Sequence, residues 1–229
     1  MSSCDLIIPF AAKVRELSFL YSAAPEDMPF AEGISGIMPE RFDNIVVAVL
    51  AEDDRRFEIS PRLRDGFAVH GWQNKLQIIS LEHPTECQAE TIAKTLERID
   101  RQGSFWVKDP DNFFKAEPIP ENAVTVFPLD ALSRVNPQNK SYLSISDGDY
   151  ILNIAEKRII GRYFCTGGYG FCDKSYFQEI FKRLKPLGKL YLSHIIYRML
   201  LDGIPFRPLY VSDYRDWGSF EDWRVTQKE

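Results

Sequence analysis

Asn44 opens the run Ile45-Val46-Val47-Ala48-Val49-Leu50, which carries no charge and is mostly β-branched. Such side chains favour extended backbone. The run has no polar alternation, so neither of its faces is suited to water. It therefore predicts a strand buried on both faces, as in a parallel sheet covered by helices. Two more runs fit that sheet: Asp5-Leu6-Ile7-Ile8-Pro9-Phe10, with Pro9 expected to close the strand, and residues 75–81.

Between these runs the periodicity becomes helical. Residues 13–21 and parts of 51–67 are expected to be helical. From 86 to 100, Ala89, Ile92, Ala93, Leu96 and Ile99 form an apolar stripe leading into the strand 103–107. Alternating strand and helix implies a mainly parallel, Rossmann-like α/β sheet flanked by helices. Behind it the rhythm changes to strands at 123–127, 141–145 and 150–155, helices at 174–184 and 190–201, and a strand at 206–211. The second helix is closed by Asp202-Gly203, as a C-cap glycine would do. No repeat or linker interrupts the chain. A single domain over 1–229 is expected, with a front half 1–115 and a mixed-sheet half 116–229.

Composition narrows the function. The net charge of −5 argues against a nucleic-acid surface, though a local basic patch for phosphates is compatible with it. No run reaches the ~18 apolar residues of a membrane span, and the first residues lack the order of a signal peptide, so a cytoplasmic protein is expected. Cys4, Cys87, Cys165 and Cys172 are scattered, as are His70, His83 and His194, which argues against zinc and against a histidine-centred triad.

Just past the strand 103–107 stands Asp109-Pro110-Asp111-Asn112. Residues beyond the carboxyl end of a strand in an α/β sheet sit where ligands bind. Two carboxylates and an amide there suit a hard divalent cation such as Mg²⁺ or Mn²⁺, which takes few protein oxygens and leaves positions for phosphates. The simpler reading is an Asx-Pro turn.

Motifs further along favour the first reading. Asn153-Ile154-Ala155-Glu156-Lys157, Thr166-Gly167-Gly168-Tyr169-Gly170-Phe171, Tyr191-Leu192-Ser193-His194-Ile195 and Asp213-Tyr214-Arg215-Asp216-Trp217-Gly218-Ser219-Phe220-Glu221-Asp222 follow in that order. With Asp111-Asn112 they resemble the sugar-phosphate nucleotidyltransferase superfamily, from residue 85 onward. The resemblance implies a nucleotidyltransferase or glycosyltransferase A-type fold, with Asp111 and Asp216 as ligands of Mg²⁺ and Asn112 beside them. It implies that Lys157 contacts a phosphate, and that Glu156, Thr166 and Gly168 shape the sugar pocket. Thr85-Glu86-Cys87-Gln88-Ala89-Glu90-Thr91 resembles the base-contact segment, with Gln88 against the base. The implied partners are an NTP and a sugar phosphate or other small phosphorylated acceptor, in capsule or surface-polysaccharide assembly, with the oligomeric state left open.

The front of the chain departs from the family. Where a glycine-rich loop should cradle the triphosphate, the chain reads Ala11-Ala12-Lys13-Val14-Arg15-Glu16-Leu17. Lys13 and Arg15 are left as point charges for the phosphates. Simpler readings stand beside the functional ones. Glu156-Lys157 would be a solvated pair, Gly167-Gly168 a bulge, Asp216 a helix cap and Gln88 a helix-start residue. Three functions remain open: an active nucleotidyltransferase; a non-catalytic relative binding a sugar phosphate or a protein; and a glycosyltransferase using the D-x-D of Asp109-Pro110-Asp111.

Overall fold

The structure is a computed structural model and describes residues 3–11, 17–99, 102–132 and 137–226. Lys13 and Arg15 lie outside the described residues, as does most of the departing loop. Strands β1 (Cys4–Phe10), β2 (Asn44–Leu50), β3 (Leu76–Leu81) and β4 (Ser104–Lys108) form the parallel part of the sheet, in the order β4-β1-β2-β3. Strand burial on both faces is visible residue by residue. Ile45, Val47 and Val49 pack into one core layer, while Val46 packs into the other. Leu6 and Ile8 alternate with Ile7 in the same way.

Pro9 does not end β1, contrary to expectation. Pairing with β4 stops at Ile7, opposite Val107, and the strand continues to Phe10 against β2 alone. A proline without an N–H is tolerated where one neighbour has already dropped away.

The sheet continues through β6 (Ala123–Pro128), β7 (Ser141–Ile145), β8 (Ile151–Glu156), β9 (Tyr163–Phe171) and β10 (Arg207–Tyr210). Antiparallel β9 lies between β4 and β6, β10 pairs parallel with β6, and the hairpin β7–β8 branches from β9. A separate ribbon joins β5 (Asn112–Lys115) to β11 (Ser212–Asp216).

Helices cover both faces. One layer holds α5 (Gln88–Leu96), α6 (Lys174–Leu184) and α7 (Leu192–Leu201), with Ile92, Phe177, Ile180, Ile195 and Ile196 buried. Burying each of these large side chains stabilises the fold by about 1.5–3 kcal/mol. The opposite layer holds α2 (Pro29–Ser35) and α4 (Ile59–Val69), through Phe30, Ile34, Leu63 and Phe67. The shorter helices are α1 (Phe19–Ser22), α3 (Ala51–Phe57) and α8 (Phe220–Thr226). Among the described residues no helix is long and apolar enough to cross a membrane.

From β1 the chain builds outward to β2 and β3, then returns to place β4 on the other side of β1. That reversal makes a topological switch point between β1 and β4, where open α/β sheets leave a crevice beyond the carboxyl ends of their strands.

Candidate functional site

A cavity of about 800 Å³ opens at this crevice. Pro9 and Phe10 at the end of β1 line it, as do Asp109, Pro110, Asp111 and Asn112 after β4. Its size suits a nucleotide-sized ligand.

The loop after β4 is held from behind by Lys108. This lysine is buried at the end of β4, and its ammonium donates to Asp109 O at 2.7 Å, Asn112 O at 2.8 Å and Asn112 Oδ1 at 2.6 Å. Its three hydrogens therefore all have acceptors. The Phe114 ring lies 4.8 Å from Nζ. Burial lowers the Lys108 pKa, while Asp109 and Asp111 pull it back up. The Asp109 carboxyl is pushed up, first by withdrawal from water and then by the charge of Asp111.

From the other side the loop leans on β9. Thr166, Gly167 and Gly168 stand opposite the single residue Thr125, where the β6–β9 register shifts between Val124 and Val126. The Thr125 hydroxyl fills the gap: it donates to Gly168 O at 3.1 Å and accepts from Gly168 N at 2.8 Å and from the Thr166 hydroxyl at 2.7 Å. The bulge carries Gly167 to the loop, where its carbonyl accepts from Asp109 N at 2.8 Å. Gly167 has φ +91°, and a Cβ there would come within 2.6 Å of Asp109 Oδ2 and 2.7 Å of Asn112 Nδ2. Only glycine suits both demands. The bulge reading of the glycine pair is thus correct, and the bulge belongs to the site.

Asp216 arrives from the far end of the chain. The β5–β11 ribbon places it opposite Asn112, and Trp217 N donates to Asp111 O at 2.9 Å. Trp217 is fully buried and stacks on Phe113 at 5.9 Å, which anchors the ribbon. Asp111, Asn112 and Asp216 all line the cavity. Asp216 does not cap α8; Ser219 does so, accepting from Asp222 N at 3.2 Å. Two carboxylates with hard oxygen donors in one cavity are the donor type for a Mg²⁺-type ion that completes its shell with phosphate and water. Among the described residues no group of three or more His, Cys, Asp or Glu has metal-binding geometry.

The remaining anticipated residues divide. Glu156, Lys157 and Thr166 line the cavity. Glu156 Oε2 accepts from Ser141 Oγ at 2.6 Å and Ser193 Oγ at 2.8 Å, so it is held by hydroxyls and is not one half of a solvated charge pair. Lys157 takes a left-handed φ of +58°. It donates to the Tyr191 hydroxyl at 3.1 Å, with its ammonium 4.9 Å from that ring. Gln88 is the first residue of α5 and lines the cavity, yet its amide donates to Asp109 Oδ1. Gly168 is not among the lining residues. Its missing Cβ would fall on Thr125 and Phe114, so the bulge turns it into the core and away from a ligand.

Lys108, Lys140 and Lys189 were not anticipated. A lysine ending the apolar run Phe105-Trp106-Val107 was the available signal for Lys108. Lys140 and Lys189 line the cavity from loops, where neither period nor motif marks them.

The geometry can be set beside known proteins. No protein-family profile matches the sequence, and no curated protein matches it. Solved structures do match. A nucleoside-diphosphate-sugar pyrophosphorylase from Vibrio cholerae superposes with a TM-score of 0.79 at 18% identity, covering 98% of this chain and 100% of that one. The chain has the nucleotidyltransferase fold. An inositol-1-phosphate CTP transferase from T. maritima gives a TM-score of 0.74 at 14% identity, over 99% of this chain and 94% of that one. A UDP-glucose pyrophosphorylase complexed with UDP-glucose gives 0.72 at 13% identity, covering both chains in full. At these identities the shared property is the fold, so function must be argued from the cavity.

Proposed function

We propose that the protein transfers a nucleotidyl group from an NTP to a sugar phosphate or other small phosphorylated acceptor, with Mg²⁺ as cofactor. The observation that carries this reading is that Asp111 and Asp216 line the same cavity and are linked through the β5–β11 ribbon, in a nucleotidyltransferase fold.

The reaction is an in-line attack by an acceptor phosphate oxygen on the α-phosphorus, with pyrophosphate leaving. Little covalent chemistry falls to the protein, so catalysis is positioning and neutralisation of anionic oxygens. When bound, Mg²⁺ held by Asp111 and Asp216 would supply that neutralisation at the α-phosphate. Lys108 and the Gly167 bulge fix the loop carrying Asp111. Lys157 offers its ammonium to the acceptor phosphate from the rim, and Glu156, aimed by two serine hydroxyls, accepts from acceptor hydroxyls. Lys13 and Arg15 are proposed to meet the triphosphate, and Gln88 to face the base once its bond to Asp109 opens. A cytoplasmic role in polysaccharide assembly accords with this chemistry.

The β5–β11 ribbon, which ties Asp216 to the segment carrying Asp111, supports an Asp111–Asp216 pair in preference to a D-x-D pair acting on a nucleotide-sugar. Calorimetry separates the remaining readings. With Mg²⁺ present, the protein is expected to bind an NTP. Binding of sugar phosphates without binding of any of the four common NTPs would replace the enzyme reading with a non-catalytic one.

A further inference from the structure

Lys140 has no part in the reaction described above, yet it stands inside the cavity beside a proposed metal ligand. It lies on the segment entering β7, and its side chain is only 16% exposed. Its ammonium forms an ion pair with Asp216 Oδ2 and donates to the Tyr214 hydroxyl at 2.7 Å. That hydroxyl lies 3.4 Å from the same Asp216 oxygen, closing a triangle of three groups. The rings of Tyr214 and Phe164 lie 5.4 and 5.9 Å from Nζ, so aromatic faces further confine the cation. The second Asp216 oxygen accepts from Gly218 N at 3.2 Å.

Both Asp216 oxygens are therefore engaged, and one already holds a full positive charge. An ion bonded to that oxygen at ~2.1 Å would stand within a few ångströms of the ammonium. Two cations at that separation repel one another, although the 47% exposure of the Asp216 side chain lets water screen part of that repulsion.

We infer that Lys140 is a resident cation at Asp216, which a divalent ion must displace in order to bind. The inference rests on the proposed metal role of Asp111 and Asp216. It makes Lys140 a positioning residue: it holds the Asp216 carboxylate in place before loading and sets how tightly the ion is taken up.

The test titrates the protein with Mn²⁺ alone and follows the free ion by electron paramagnetic resonance. K140M keeps the apolar stem against the two rings and removes the charge. It is expected to bind Mn²⁺ about threefold to fivefold more tightly than the unaltered protein, as relief from one half-exposed ion pair allows. K140M/D216N should bind no more tightly than D216N, because the competition acts through Asp216. Equal or weaker binding by K140M, with D216N weakening both backgrounds alike, overturns the role of Lys140 and leaves the metal site standing. No Mn²⁺ binding by any of the four proteins overturns both. Thermal unfolding establishes that each variant is folded. If K140M is not, K140Q, which keeps donors for Tyr214 and Asp216 without the charge, carries the same expectation.

Discussion

A single buried lysine does much to shape this site. Lys108 gives all three of its hydrogens to the loop that carries Asp111. K108M would leave Asp109 O, Asn112 O and Asn112 Oδ1 without that donor in a buried setting. The expected cost is about 3–5 kcal/mol of stability, measured by denaturant unfolding. Gly167 answers Lys108 from the opposite side. G167A puts a Cβ at φ +91° against Asp109 and Asn112, and is expected to cost about 1–3 kcal/mol. Its nucleotidyl transfer should fall by more than its fraction of unfolded protein explains, since the loop itself must move. G168A makes a useful comparison, because the Cβ there meets Thr125 and Phe114 in the core. Stability should fall in that variant as well, with activity following only the folded fraction. These residue-level roles were hard to read in the sequence. Asp111 stood out because carboxylates just past a strand end carry their own chemistry, whereas Asp216 was marked only by the family resemblance. Lys108 fell just beyond the expected strand 103–107, and Lys140 sat in a loop where neither pattern nor motif marks a position.

At the scale of elements, the sequence was most legible where one strong period ruled. β2 is buried on both faces because its apolar run offers water nothing, and α5 follows its apolar stripe. Pro9 misled because a proline stops a strand only where a neighbour requires its N–H, and β4 has already ended there. The length of β9 was equally hidden, since its bulge takes its bonding from Thr125, forty-odd residues upstream. Glu90 on α5, paired with Lys185 just past the end of α6, carries a pH dependence. Burial raises the Glu90 carboxyl, but the Glu86 N–H and the ammonium groups of Lys185 and Lys94 outweigh it and hold the pKa below the usual glutamate value. A depressed folded value means the stabilisation is complete above the unfolded pKa and is lost as pH falls through the folded one. Denaturant melts between pH 6 and pH 3 should therefore show stability falling below about pH 4.5. E90Q should flatten that fall; parallel curves for the two proteins would contradict the assignment.

For the whole molecule, the alternation of strand and helix was enough to predict a mainly parallel sheet, and the sheet order then fixes where a ligand belongs. What alternation could not supply was the β5–β11 ribbon, which closes a gap of about a hundred residues to set Asp216 opposite Asn112. Pairing over such separations depends on tertiary packing, here the burial of Trp217 against Phe113, and leaves no local signal. The ribbon turns a common fold into a candidate catalyst, and the account as a whole rests on the chemistry assigned to that junction. The decisive measurement is pyrophosphate release, with Mg²⁺, across the four common NTPs and a panel of sugar phosphates and other small phosphorylated acceptors. The account predicts release only when an NTP and a suitable acceptor are present together, reduced about a hundredfold or more in D111N and in D216N. No release from any pairing by a folded protein that binds both ligands, or release undiminished in D111N and D216N, would contradict it.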